Sequence, residues 1–191
     1  HPDDKEDAVR VFWEATTDKV RSTAPEKELS FALSYEEAEH TPADIFIIAE
    51  NRDGKVVDFT LPSGIKISLD AAKINKAKIP YNVVKYNLAI EPMYNLYIQR
   101  DAKDDKTQQF FTHDKIALPG KVTVTIPLNE DMPEENLKLY RIDAKTEKYV
   151  LEKTISAKDI EDRNLILTLT ELEGRYILTT ADLAGKQVGG Q

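Results

Sequence analysis

The sequence predicts an α+β fold: an N-terminal α/β lobe with two helices and a hairpin, followed by a C-terminal antiparallel β-sandwich-like lobe. Three observations predict it. Near the start, Val9, Phe12, Trp13, Thr16 and Val20 recur at helical spacing. In "KVTVTIPL", Val122, Val124, Ile126 and Leu128 fall on one face, with Thr123, Thr125 and Pro127 on the other, the period-2 signature of a half-buried strand. From "QQFF" onward, short extended runs alternate with turn signals, as in stacked antiparallel sheets.

Each element follows in order. Asp3 or Asp4 can cap the opening helix, acids fill its first turn, and "STAPEKE" stops it at Pro25. "LSFALSY" is strand-like, with Leu29, Phe31 and Leu33 on one face. "HTPADIFIIAENRDG" predicts a helix with Thr41 as cap, Pro42 at the first helical position, Asp44 in the first turn and Gly54 beyond its end. "KVVDFTLPSGIKISLD" reads as a hairpin through Pro62-Ser63-Gly64. "YNVVKYNLAI" predicts another strand, and "EPMYNLYIQRDAKDDK" fits either period. Further strands are expected at 121–128, 137–142, 148–153, 165–170 and 175–179. Pro127 calls for an edge position or a bulge, because proline cannot donate to a ladder. The organisation expected is a lobe over 1–80, a β-rich lobe over 81–184 and a flexible linker over 185–191.

Composition narrows the function classes. The 191 residues suit one domain or two lobes sharing a core, and 41% hydrophobic residues supply a packed interior. The net charge is -8, with basic residues interleaved among acidic ones. That argues against nucleic acid, which needs a positive patch, and against anionic membrane surfaces. There is no cysteine, which excludes disulfides, thiolate metal sites and cysteine nucleophiles. No apolar run approaches the roughly 18 residues that span a bilayer. The opening "HPDDKEDA" is acidic and polar, unlike a signal peptide, so a secreted protein is expected here as a mature fragment.

Reactive constellations are sparse. Glu36 and His40 stand four apart in "EEAEH", metal-ligand spacing on a helix, but the stretch reads as a solvated loop with no second histidine near. His113 and Asp114 are neighbours, which point to opposite faces of a strand, and no G-x-S-x-G elbow supplies a serine. The acidic "DAKDDK" and "NEDMPEEN" lack the alternating ligands and central glycine of an EF-hand loop and read as exposed loops. The glycines form no phosphate-cradling loop. No catalytic residue, cofactor or metal site is therefore expected. Tyr81, Tyr86, Tyr94, Tyr97, Phe110 and Phe111 concentrate in the middle third. They either close the core or stack on sugar rings, and Tyr94 and Tyr97 are the candidate ligand contacts, following a proline that lifts them from a sheet.

The order of these elements resembles a module that recurs in multimodular surface and secreted proteins of Gram-positive, Firmicutes-type bacteria. The resemblance runs from about Val11 to Thr180: "VFWEAT", "TPADIFIIAENRDGK", "VVDFTLPSGIKISLD", then "VTVTIPL", an acidic proline loop, "LKLYRID" and "GRYILTT". It implies an extracellular, cell-surface setting and neighbouring modules of the same polypeptide as partners. It implies a non-catalytic structural or adhesion module, expected to be a monomer. The alternatives are a carbohydrate-binding module for cell-wall or plant glycans, using the aromatics of Tyr81–Phe111, and a hydrolase domain.

Overall fold

In a computed structural model, which describes residues 2–51, 56–93, 105–113 and 117–188, the helical spacing of Val9 to Val20 becomes α1 (Pro2–Ser22). The helix begins before Asp3 and Asp4, so neither stands at its cap. It ends where Thr23 donates its N–H and hydroxyl to the Lys19 carbonyl. β1 (Leu29–Ala32), α2 (Tyr35–Glu39), the two-residue β2 (Thr41–Pro42) and α3 (Asp44–Glu50) lead to the hairpin β3 (Val56–Thr60) and β4 (Lys66–Asp70). β1 pairs parallel to β3. A parallel pair requires a crossover, and α2 and α3 provide it.

Two expectations fail in this crossover. "EEAEH" is not a loop: Ser34 and Glu37 form a capping box that nucleates α2. Thr41 does not cap the next helix. Its buried hydroxyl points back to the Ala38 carbonyl at 2.7 Å, and its backbone pairs with Tyr86. α3 therefore starts after Ala43, which makes no side-chain cap bond, and Pro42 lies in β2. Gly54 lies outside the described residues.

The remaining strands are β5 (Lys85–Tyr86), β6 (Ile90–Met93), β7 (Thr107–Thr112), β8 (Ala117–Pro127), β9 (Lys138–Ile142), β10 (Tyr149–Thr154), β11 (Ile160–Glu161), β12 (Asn164–Glu171) and β13 (Arg175–Thr179). They form a six-stranded sheet in the order β1-β3-β4-β8-β12-β11 and a five-stranded sheet in the order β10-β9-β13-β7-β6. The alternation of "KVTVTIPL" is what knits the first sheet. Register places Phe31, Phe59, Ile67, Val124 and Leu167 in one continuous row, with Ser30, Asp58, Ser68, Thr123 and Thr168 in a row on the other face. The apolar face packs against Phe110, Leu139, Tyr176 and Leu178 of the second sheet in one core, which also contains Trp13 and α3. α+β is the observed class. The expected boundary at 80/81 falls inside this sheet and this core, because β4 pairs with β8.

Pro127 is not on an edge strand, yet it loses no ladder bond there. β4 pairs with β8 only as far as Thr125, so the strand's last residues are free on that side. "YNVVKYNLAI" is not one strand: a turn at Pro80–Val83 leads to the two-residue β5, and β6 starts at Ile90. Residues 185–188 are not a free linker. Gly185 and Val188 donate to Tyr149 and Glu147 carbonyls, and this segment covers a second small core of Tyr140, Ile142, Tyr149, Ile177 and Leu183.

The acidic loop 129–136 is tied from both sheets. Asp162 and Arg163 occupy the β11–β12 connection with φ of 50° and 64°, the left-handed pair that a two-residue hairpin needs. That turn aims Arg163 at the Met132 and Asn129 carbonyls, 2.8 and 2.9 Å away. Gln108 of β7 accepts from Asn129 N–H and donates to the Pro127 carbonyl.

Gly120 marks the tightest approach. Its φ is 120°, and a β-carbon there would meet Ile74 Cα at 2.9 Å, within the bridge that pairs Ile74 with Gly120. Strain and overpacking together predict that Gly120→Ala costs about 3 kcal/mol or more. Urea unfolding checks this, and a cost below ~1 kcal/mol would mean the 73–75 segment yields freely.

Two carboxylates make stability acid-sensitive. Thr146 and Lys145 N–H groups, each 2.8 Å from Asp143 Oδ1, hold that carboxyl below the usual carboxylate range. Burial opposes ionisation of Asp159, but Ser156 and Lys153 outweigh it and its pKa is also lowered. Both groups favour the folded state when ionised, so their contribution is present above the unfolded pKa and lost as pH falls through the lowered folded values, below about pH 4. Carbon-detected NMR titration should place both midpoints below ordinary, and Asp143→Asn should flatten the acid limb of the stability curve. Ordinary midpoints would refute this.

Candidate binding groove

Trp13 sets the floor of a large concavity. It is 5% exposed, lies edge-on to Phe12 and packs on Phe59 with centroids 5.7 Å apart. Its indole N–H donates to the Glu37 carbonyl at 2.8 Å, and the same oxygen accepts the N–H of His40 at 3.2 Å. α1 and the end of α2 are thus joined through one acceptor. The capping box holds α2 in turn: Ser34 Oγ accepts from Glu37 N–H, and Glu37 Oε1 accepts from Ser34 N–H. Leu88 N–H, donating to the Ala38 carbonyl at 2.9 Å, fastens the segment after β5 to the same turn.

Between these elements lies a groove of about 690 Å³. Val9, Trp13 and Pro42 give it apolar surface. Its carboxylates, Glu6, Glu14, Asp18, Glu36 and Asp44, outnumber its basic groups, Arg10, Arg21 and Lys85. The Arg10 guanidinium donates to Glu14 and to Asp7, bonds that raise its pKa and lay it along α1. Lys85 Nζ donates to His40 Nδ1 at 3.1 Å, so in this arrangement that ring nitrogen carries its lone pair. An apolar floor with a mixed, net acidic rim suits a docked side chain or peptide segment.

The sequence-predicted residues are dispersed. Glu36 and His40 both line the groove, but among the described residues no three His, Asp or Glu side chains converge as metal ligands. His113 is exposed, 3.4 Å from Glu91 Oε2 and edge-on to Phe111; Asp114 lies outside the described residues. Tyr86 and Phe110 are buried, Tyr86 against Phe46 and Phe110 stacked on Tyr176. Phe111 is half-buried and Tyr81 is fully exposed. Tyr94 and Tyr97 lie outside the described residues. Sequence reasoning passed over Lys85, Arg10 and the groove itself. The readable signal was the S-x-x-E box at Ser34, which turns Glu36 and His40 onto one short helix.

Trp13→Ala is expected to cost about 3–5 kcal/mol in chemical denaturation. Trp13→Phe keeps a ring but removes one of the two donors to the Glu37 carbonyl, and should cost about 0.5–1.5 kcal/mol. A Trp13→Phe variant as stable as the parent would show that the indole hydrogen bond contributes nothing to joining α1 and α2.

No helix among the described residues is long and apolar enough to cross a membrane. No protein-family model matches this chain, and no curated protein matches it.

Proposed function

We propose that the chain is a non-catalytic structural or adhesion module of an extracellular, multimodular bacterial surface protein, where it spaces or presents neighbouring modules of its own polypeptide. One observation carries the reading: β8 pairs with β4 from the first half of the chain and β12 from the second, so helices and both sheets share one main core. A module with one shared core moves as one body, which is what a spacer requires. The setting rests on the resemblance of the "VTVTIPL" to "GRYILTT" run to modules of Gram-positive surface proteins. A second reading, glycan binding, is favoured by one observation, the full exposure of Tyr81.

The test places the module between two fluorescent reporter domains and measures their separation, beside affinity electrophoresis against cell-wall and plant polysaccharides. A single narrow distance with no retardation is expected. A broad distance distribution would sink the spacer reading. Retardation lost in a stable Tyr81→Ala, Tyr94→Ala or Tyr97→Ala protein would replace it with glycan binding.

A further inference from the structure

We infer that the groove and the loop beside it form a self-association surface on which a second copy of this chain docks. The loop is chemically unlike the rest of the molecule. Residues 71–90 hold four lysines, Lys73, Lys76, Lys78 and Lys85, and no aspartate or glutamate, in a chain of net charge -8. All four lysines are exposed. The turn in which Val83 N–H donates to the Pro80 carbonyl holds Tyr81 and Val84 outward, 101% and 75% exposed. Two protruding apolar side chains in a segment whose only charged residues are lysines are the marks of a contact surface.

The complement adjoins this loop at Lys85. The groove has an apolar floor, and its Glu6, Asp18, Glu36 and Asp44 side chains make no hydrogen bond or ion pair among the described residues. Lys85 belongs to both features, ending the loop and lining the groove. In a pair related by a two-fold axis, each copy offers its loop to the partner's groove, so every contact is made twice. Tyr81 and Val84 enter a space of about 690 Å³, while Lys76 and Lys78 meet the unpaired carboxylates. The occupant is a second copy because patch and complement, apolar and ionic alike, are adjacent on one chain. A dimer would depart from the expected monomer, and residues 71–90 depart from the even interleaving of charge in the rest of the chain.

Sedimentation velocity across micromolar to millimolar protein tests this at low and high salt. A reversible monomer–dimer equilibrium is expected, weakened about tenfold or more by salt, since exposed ion pairs are screened. Tyr81→Ala, the pair Lys76→Glu with Lys78→Glu, and the pair Asp18→Lys with Glu36→Lys should each weaken it about tenfold or more with unchanged circular dichroism and melting. Mixing the two charge-reversed proteins should restore association, because each loop then meets a groove of opposite sign. A monomer at every concentration overturns the proposal. So does a dimer indifferent to these variants, or a mixture of reversed proteins that does not re-associate.

Discussion

β8 is hydrogen-bonded on both edges, to β4 from the first half of the chain and to β12 from near its end. Because strand side chains alternate strictly, this pairing fixes which residues enter the core on three strands at once. A one-residue slip would turn Val122, Val124 and Ile126 outward together with their partners. The strand is held at both ends by close contacts. Gly120 lets it touch the Lys73–Ile74 backbone, and Pro127 ends it beside Gly64, which has φ of 92°. The helical layer, the second sheet and the groove all take their positions from that register.

The polar groups show how fully the remaining structure is tied to this frame. Trp13, His40, Ser34, Glu37 and Thr41 are each spent on joining α1, α2 and β2. Arg163 and Gln108 are spent on closing one loop between the two sheets. At the groove, Glu6, Asp18, Glu36 and Asp44 make no hydrogen bond or ion pair among the described residues, and the loop of residues 71–90 beside it carries only lysines as charged groups.

Much of the fold was legible because it is local. The β3–β4 hairpin was announced by its turn residues, the closing strands by alternation, and α1 by its apolar spacing, with Arg175–Thr179 matching its expected bounds. What was not legible depended on distant partners. Thr41 looks like a helix cap until Ala38 and Tyr86 claim its hydroxyl and backbone. Residues 185–188 look like a linker until Tyr149 and Glu147 bind them. Val83 and Val84 fit a strand pattern, but no neighbouring strand accepts them, and Tyr81 is left in solvent. The groove was the least legible of all, since its lining comes from five separate elements, α1, α2, β2, α3 and β5, the first two joined by one indole.

The same central strand imposes an order on assembly. Ser68 of β4 must find Thr123 of β8 across roughly 55 residues of chain, and β12 lies further on. Until then β1, β3 and β4 form a three-stranded ribbon whose β4 edge and apolar face are both open. A chain emerging from the ribosome, or threading through a translocon, therefore carries an unfinished template that other strands can join. The lysines of residues 73–85 come out immediately behind that edge, before β8 does. Charged side chains beside an open edge disfavour strand addition, which gives the edge some protection while it waits for its partner.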